Sequence, residues 1–197
     1  MKTVFVDVDT QFDFVLPAGA LYAHGAEKVL PVVGALNQYA AVNGITVVST
    51  ADAHSENDPE FRSWPPHCVA GTLSQQKPAS TLLDKRIVVR SSPAAAAAIG
   101  GAQQIILEKQ HVDAFTNPNL AGILRELGAE RYVVYGLVTD VCVKYAAEGL
   151  LKLGGRVEVV EDAIRALDEA AGGAFLRDFA AAGGIVTTAA ALMGGQD

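Results

Sequence analysis

The sequence has few cysteines and no long apolar run, and these absences exclude whole classes of protein. Two cysteines, Cys68 and Cys142, in 197 residues do not make a disulfide scaffold, so a reducing cytoplasm is the expected compartment. No segment approaches the ~20 apolar residues of a membrane span. Asp7 and Asp9 interrupt the apolar run that follows Met1, so we predict no signal peptide there.

Clusters of basic residues are also lacking. The chain has 15 Lys and Arg against 22 Asp and Glu, a net charge of −7, which disfavours nucleic acid or an anionic membrane as the main partner. Hydrophobic residues make up 50% and charged residues 19% of the chain, which argues against disorder. Without a linker or an internal repeat, residues 1–197 are predicted to form a single domain. We expect a homo-oligomer that acts on a small molecule.

The stretch from Tyr132 to Cys142 predicts a buried strand that breaks at Gly136 and restarts as a helix. Thr139 or Asp140 is the expected N-cap of that helix, which places Cys142 near the positive end of the helix dipole. A cysteine in that position is favoured as a thiolate and can be a nucleophile. The competing interpretation is an inert buried cysteine, because free cysteine is among the most buried residue types.

Strands and helices alternate along the whole chain. This alternation predicts a doubly wound α/β fold of the Rossmann-like, three-layer type, with a mainly parallel six-stranded sheet and helices on both faces. Residues 81–103 are the least informative: 87–89 could be a short strand, and 93–99 predict an alanine-rich helical turn. The six expected strands are 3–9, 45–51, 104–108, 132–135, 157–160 and 185–188.

Polar residues stand at the carboxyl ends of two predicted strands. Asp9 ends the first strand, and Lys109 follows the strand 104–108. Ligands of open α/β sheets bind outside the carboxyl ends of the strands, so both residues are candidates for a site. The alternative for Asp9 is that it only caps a loop.

The segment 52–80 combines little regular pattern with a high density of metal-ligand types. Asp52 and His54 are two residues apart, so their side chains point to the same side if the strand continues, and the following prolines return His67 to the neighbourhood. With Glu60, this makes two imidazoles and two carboxylates, a set that suits Zn²⁺, Mn²⁺ or Fe²⁺. The competing interpretation is a solvated polar loop.

Four motifs, in this order, resemble the isochorismatase-like cysteine hydrolases, of which the nicotinamidases are the nearest type. The resemblance covers nearly the whole chain. The motifs are Asp9-x-Gln11-x-Asp13-Phe14; Asp52-x-His54 with Glu60 and Trp64-Pro65-Pro66-His67-Cys68; Lys109; and the run Gly136-Leu137-Val138-Thr139-Asp140-Val141-Cys142-Val143.

The resemblance implies a catalytic triad of Asp9, Lys109 and Cys142. Cys142 would attack an amide carbonyl and form a thioester, while the backbone N–H groups of Val138 and Cys142 meet the oxyanion. Asp9 would carry the proton, and the positive charge of Lys109 would lower the pKa of both Asp9 and Cys142.

The resemblance also implies one divalent metal ion, zinc first and manganese or iron as alternatives, that anchors a pyridine nitrogen. Phe14 and Trp64 would form the walls around the ring, and a cis peptide bond is implied between Leu137 and Val138. The implied metal ligands are Asp52, His54, Glu60 and His67.

Nicotinamide is the implied substrate, converted to nicotinate and ammonia. The alternatives are an N-carbamoyl, ureido or broader amide substrate, or a non-catalytic binding protein of the same fold. Two departures bear on the substrate: the run 109–115 differs from the Tyr-Ser-Ala/Gly-Phe pattern of many relatives, and Glu60 stands where histidine is frequent. His24 and His111 fit no ligand pattern and are expected at the surface or beside the site.

Overall fold

A computed structural model describes residues 1–93 and 99–194. Within these residues, seven strands form one sheet. The strands are β1 Thr3–Val8, β2 Thr46–Asp52, β3 Arg86–Val89, β4 Gln104–Lys109, β5 Arg131–Leu137, β6 Arg156–Arg165 and β7 Ile185–Thr187. Their order across the sheet is β3-β4-β2-β1-β5-β6-β7, and each neighbouring pair is parallel.

Helices connect the strands, as parallel pairing requires. They are α1 Phe12–Val15, α2 Leu30–Val42, α3 Leu120–Leu127, α4 Lys144–Lys152, α5 Glu169–Ala181 and α6 Ala189–Met193. Short 3₁₀ helices lie at Ala26–Lys28, Pro59–Arg62, Ala79–Thr81 and Ala114–Thr116, and a π-helical turn spans Thr139–Val143. Among the described parts of the chain, no helix combines the length and the hydropathy needed to cross a membrane.

Both faces of the sheet are covered. On one face, the ring of Phe5 stacks on Tyr39 of α2, with 6.2 Å between the ring centroids. On the other face, the next residue of β1, Val6, lines a small apolar cavity together with Leu124 of α3 and Leu150 of α4. Because side chains alternate along a strand, β1 contributes to two separate apolar layers. The predicted three-layer α/β fold is confirmed.

The predicted number of strands, six, is wrong by one. The additional strand is β3, which spans four residues at the edge of the sheet and pairs only with β4. The sequence marks it only by the short apolar run 87–89; Val89 is its one buried residue and Val88 is exposed, so no clean alternation supports a strand. The helical turn predicted for 93–99 lies largely outside the described residues.

The sheet reverses its winding at β1. The chain first fills one side of β1, where β2, β4 and β3 lie in order outward from β1, and then the other side with β5, β6 and β7. The carboxyl ends of β1, β2, β4 and β5 therefore surround one crevice, which is the place where open α/β sheets bind their ligands.

Gly136 allows β1 and β5 to approach closely at this crevice. Its φ angle is +110°, and a Cβ atom there would lie 2.1 Å from the carbonyl oxygen of Val8. The break that the sequence indicates at Gly136 therefore has a steric cause: both the backbone conformation and the space require glycine.

We expect Gly136→Ala to lower the free energy of unfolding by about 2–5 kcal/mol, because it combines an unfavourable φ with a backbone clash. Gly44→Ala is the matched control: its φ is +67°, and no heavy atom of the described residues lies within 4 Å of the added Cβ. It should cost about 1–2 kcal/mol. Urea unfolding followed by circular dichroism measures both, and equal losses would contradict the steric role of Gly136.

Candidate active site

Asp9, Lys109 and Cys142 meet at the carboxyl end of the sheet. Lys109 Nζ lies 2.8 Å from Asp9 Oδ2 and 3.7 Å from Cys142 Sγ. All three residues are buried, and Lys109 and Asp9 are fully inaccessible to solvent. The structure thus brings together the three residues that the sequence proposes as a triad.

The turn that carries Cys142 differs from the prediction. Neither Thr139 nor Asp140 caps a helix: Val138 precedes the π-helical turn without a side-chain cap. The Asp140 carboxylate instead accepts hydrogen bonds from the N–H groups of Leu167, at 2.9 Å, and Asp168, at 3.1 Å. The predicted N-cap is therefore wrong. The Asp140 carboxylate, which would have accepted the capping hydrogen bond, instead binds the backbone of the neighbouring loop.

The backbone just before this turn has the implied geometry. The peptide bond between Leu137 and Val138 is cis. The carbonyl oxygen of Val138 accepts hydrogen bonds from the N–H groups of Val141, at 3.2 Å, and Val143, at 3.1 Å. These two bonds fix the peptide that leads into Cys142.

Asp9 is held by Thr50 of β2. The Thr50 hydroxyl donates to Asp9 Oδ1 at 2.6 Å, and the Asp9 N–H lies 3.1 Å from the same hydroxyl oxygen and 3.2 Å from the Thr50 carbonyl oxygen. The φ angle of Asp9 is +42°, a region that residues other than glycine seldom adopt. Sequence reasoning did not find Thr50, because only the pairing of β1 with β2 places it beside Asp9.

Burial dominates the protonation of the buried groups. It raises the pKa of the Cys142 thiol well above its usual value, and the opposing attraction of Lys109 is smaller. Burial also raises the pKa of Asp9, again against Lys109. Lys109 lowers both pKa values, as expected, but desolvation outweighs its charge, so the net shift of each pKa is upward.

Lys109 behaves in the opposite way. Burial alone would lower its pKa, but the carboxylates of Asp52 and Asp9 more than offset this, and the pKa of Lys109 lies well above its usual value. Its ammonium group is in direct contact with both carboxylates. Lys109 is therefore a permanent positive charge at the centre of the site.

A second cluster, which we call the ligand cluster, consists of Asp52, His54 and His67. Asp52 Oδ2 lies 3.6 Å from His67 Nε2 and 3.9 Å from His54 Nε2. The ligand atoms of all three residues lie within 4.8 Å of one another. Neighbouring ligand atoms of a tetrahedral zinc site are roughly 3.3 Å apart for bonds of ~2.0 Å, so a small contraction would complete such a site.

The surroundings of the two imidazoles fit a metal site. His54 Nε2 is buried and has no hydrogen-bond partner among residues 1–93 and 99–194. His54 Nδ1 lies 3.2 Å from Asp58 Oδ2, but the geometry does not make a hydrogen bond, whereas His67 Nδ1 lies within hydrogen-bond distance, 2.8 Å, of the Pro65 carbonyl oxygen. Ligating histidines usually have such an acceptor on the second nitrogen. The donor set therefore fits a divalent ion such as Zn²⁺.

Glu60 lies outside the ligand cluster. It lines the same pocket as Asp52 and His67, and its Oε2 atom lies 3.6 Å from Nδ1 of the exposed His111. Burial and the charge of Asp52 raise the pKa of Glu60. The structure thus brings three of the four predicted ligands together and leaves Glu60 on the pocket wall.

A narrow pocket lies above these groups. Phe14 and Trp64, the predicted walls, line it, and the Phe14 ring packs edge-on against His67 with 5.7 Å between the centroids. Sequence reasoning missed the other apolar walls, because they lie on separate loops and carry no chemical signature. These walls are Leu21, Val112, Val138, Val141 and Leu167.

Two motif residues turn out to hold the ligand cluster in place. The Gln11 side chain accepts from the Asp52 N–H and donates to the Asp52 carbonyl oxygen, both at 2.8 Å. Asp13 Oδ2 accepts from the Cys68 N–H at 2.6 Å, directly after His67. Their presence in one motif with Asp9 is the signal that could have indicated this role.

The parallel sheet, its switch point and the buried Asp9–Lys109–Cys142 contact together indicate a cysteine-dependent enzyme built on a doubly wound α/β fold. The model of the Isochorismatase domain matches residues 3–191. This chain therefore belongs to the isochorismatase family and is a hydrolase.

Individual relatives support the same assignment. The nicotinamidase of Acinetobacter baylyi is 29% identical over 184 residues, which cover 82% of this chain and 80% of the relative. The crystal structure of the pyrazinamidase of Pyrococcus horikoshii in complex with zinc has a TM-score of 0.79 at 25% identity and covers 95% of this chain and 99% of that one. The N-carbamoylsarcosine amidase of Thermoplasma acidophilum has a TM-score of 0.77 at 28% identity, with 96% and 97% covered.

We expect His67→Ala to remove bound zinc, because it deletes one of three clustered ligand atoms. Glu60→Gln should weaken binding less, since Glu60 lies outside the ligand cluster. His24→Ala changes an exposed histidine and is the control for the substitution itself. The measurement is zinc per chain after dialysis against a weak chelator. A Glu60→Gln protein as depleted as His67→Ala would show that Glu60 is a ligand.

We expect Lys109→Met to raise the pKa of Cys142 further, because it removes the charge that opposes the effect of burial. At a given pH, alkylation of Cys142 by iodoacetamide should slow, and its rate profile should move to higher pH. Lys152→Met, at the far end of α4, is the control. Peptide mass spectrometry distinguishes Cys142 from Cys68. An unchanged profile in Lys109→Met would mean that Lys109 does not act on the thiol.

Proposed function

We propose that this protein hydrolyses nicotinamide to nicotinate and ammonia through a thioester on Cys142. The observation that carries the proposal is the position of Lys109, which contacts both Asp9 and Cys142 beside a cluster of metal-ligand residues in the same pocket. The family assignment and the nicotinamidase relative support it.

The geometry supports Asp9 as the proton carrier. A neutral thiol needs a base, and the raised pKa of Asp9 makes its carboxylate a better proton acceptor than an exposed one. Asp9 would take the thiol proton while Sγ attacks the amide carbon, and pass it to the nitrogen as the C–N bond breaks. A water molecule, deprotonated by Asp9, would then cleave the thioester and release the acid.

Lys109 and the backbone would stabilise the charges that develop. Lys109 Nζ is close to both Asp9 Oδ2 and Cys142 Sγ, so its charge can compensate whichever group carries the negative charge. We infer that the N–H groups of Val138 and Cys142 receive the oxyanion. Support comes from Val138 and Cys142 both lining the pocket and from the hydrogen bonds to the Val138 carbonyl oxygen, which fix the turn between these two residues.

Asp52, His54 and His67 would hold the metal ion, which we infer to be zinc, with manganese or iron as alternatives. Glu60 stays a predicted fourth ligand. When bound, the ion would offer a Lewis-acidic position to a ring nitrogen of the substrate. Phe14 and Trp64 would contact the faces of the ring and orient the amide towards Cys142.

An N-carbamoyl amino acid is the second candidate substrate, because the N-carbamoylsarcosine amidase of Thermoplasma acidophilum shares the fold at 28% identity. Such a compound has a carboxylate. Among the described residues that line the pocket, the charged side chains are acidic, Asp52 and Glu60, and the rest of the wall is mostly apolar. A neutral aromatic amide fits this lining better than an anion does.

We also infer that residues 1–197 form one domain of this family, since a single sheet and the family match span nearly the whole chain. A cytoplasmic location and a homo-oligomeric state stay predictions from the sequence.

The test is ammonia release from nicotinamide, benzamide and N-carbamoylsarcosine by the zinc-loaded protein. Benzamide matches nicotinamide in shape but lacks the ring nitrogen. We expect kcat/KM to be highest for nicotinamide, and Cys142→Ala to lower kcat at least about a thousandfold while zinc content is unchanged. Preference for N-carbamoylsarcosine would overturn the substrate assignment, and an active Cys142→Ala protein would overturn the mechanism.

A further inference from the structure

A second buried ion pair, Asp7 with Lys77, lies behind the site and has no part in the proposed chemistry. Lys77 Nζ lies 3.4 Å from Asp7 Oδ2, and the two side chains are 3% and 0% exposed. Asn37 of α2 donates to the same carboxylate oxygen at 3.3 Å. Asp7 is two residues before Asp9 on β1, so this pair and the site share one strand.

The Asp7 carboxylate accepts hydrogen bonds from two residues, one next to Asp9 in the sequence and one next to Thr50. Thr10 donates its hydroxyl to Asp7 Oδ1 at 2.5 Å, and Ser49 donates its hydroxyl to Asp7 Oδ2 at 3.1 Å. Thr10 directly follows Asp9, and Ser49 directly precedes Thr50. One buried carboxylate therefore links the end of β1 to β2 beside the hydrogen bond between Thr50 and Asp9.

Lys77 acts on Thr50 directly. Its ammonium group donates to the Thr50 carbonyl oxygen at 3.1 Å, and the Asp9 N–H donates to the same oxygen at 3.2 Å. The Thr50 hydroxyl in turn donates to Asp9 Oδ1 at 2.6 Å. Lys77 thus orients the residue that fixes both the backbone and the carboxylate of Asp9.

We propose that Asp7 and Lys77 are positioning residues for Asp9, which hold its carboxylate in place for proton transfer by way of Thr50, Thr10 and Ser49. The inference rests on the proposed function, in which Asp9 carries the proton. Buried ion pairs are seldom needed for stability, because apolar residues of similar volume often replace them without loss. Asp9 also adopts a left-handed backbone conformation that its surroundings must enforce.

The variant that tests this is Asp7→Asn combined with Lys77→Met. It removes both charges together, and asparagine keeps a side-chain oxygen for the surrounding donors. Lys77→Met alone is the second variant, since three neutral donors still satisfy Asp7 and the chain should fold. Assays use zinc-loaded protein and nicotinamide, and kcat is expressed per zinc-bound chain.

The control is an ion pair far from the site in which only the carboxylate is buried. Arg131 begins β5 and donates to Glu158 Oε2 at 2.7 Å, and the two side chains are 27% and 3% exposed. Arg156 also contacts Glu158, at 2.6 Å. This pair lies at the amino-terminal ends of β5 and β6, whereas Asp9 lies at the carboxyl-terminal end of the sheet. Arg131→Met with Glu158→Gln removes it in the same way as the test variant removes Asp7 and Lys77.

We expect the Asp7 and Lys77 double variant to lower kcat by about a hundredfold, as misplacing a reacting group by about 1 Å does. Lys77→Met should lower kcat by about tenfold, and KM should stay within about threefold in both, because the pair does not line the pocket. In a Thr50→Val background, which lacks the hydroxyl that donates to Asp9 Oδ1, the double variant should cost less, since part of the effect passes through that hydroxyl. The Arg131 and Glu158 variant should keep kcat within about threefold.

Two results would overturn the inference: wild-type kcat in both Lys77 variants, or an equal fall in kcat for the Arg131 and Glu158 control. Asp9→Asn distinguishes a failure of this inference from a failure of the proposed function. If Asp9→Asn is inactive while the Lys77 variants keep their kcat, the inference alone fails. If Asp9→Asn keeps its kcat, the proposed function fails with it.

Discussion

The buried charge of Lys109 is the interaction on which the rest of the site depends. A fully buried ammonium group is costly unless carboxylates compensate it, and Lys109 contacts two of them, Asp9 and Asp52. Asp52 turns one oxygen towards Lys109 and the other towards His54 and His67. The cysteine site and the ligand cluster therefore share one charge balance, and removing Lys109 would leave two buried carboxylates without their counter-charge.

The sheet supplies this arrangement through its register. Asp52 and Lys109 are direct partners in the pairing of β2 with β4, so their side chains emerge side by side at the carboxyl end. β1 lies on the other side of β2 and brings Asp9 to the same edge, while β5 leads into the turn of Cys142. Four segments that are far apart in sequence meet because parallel strands end together at the switch point.

Burial also determines how the site can react. A helix dipole or a nearby lysine stabilises a thiolate only over a short distance. Complete removal of water destabilises the charged form of every buried acid, whatever its neighbours. At Cys142 the second effect is larger, so the pKa of the thiol is raised and a base that accepts its proton would assist the attack. The close contact of Asp9 with Lys109 then matters more than the helix that follows Cys142. Because Asp9 is the base that would accept this proton, its carboxylate must be held in position, and several buried side chains do so.

The sequence by itself determined the α/β class, the six principal strands, and the candidate residues at strand ends, because apolar runs and strand-terminal polar residues are local signals. Its motifs also indicated the family and three of the residues that cluster as metal ligands. Only the tertiary structure decided the edge strand β3, the position of Glu60 outside the ligand cluster, the apolar pocket walls, and the support of Asp9 by Thr50, Asp7 and Lys77. These features depend on contacts between segments tens of residues apart and on desolvation, which exist only once the sheet is assembled.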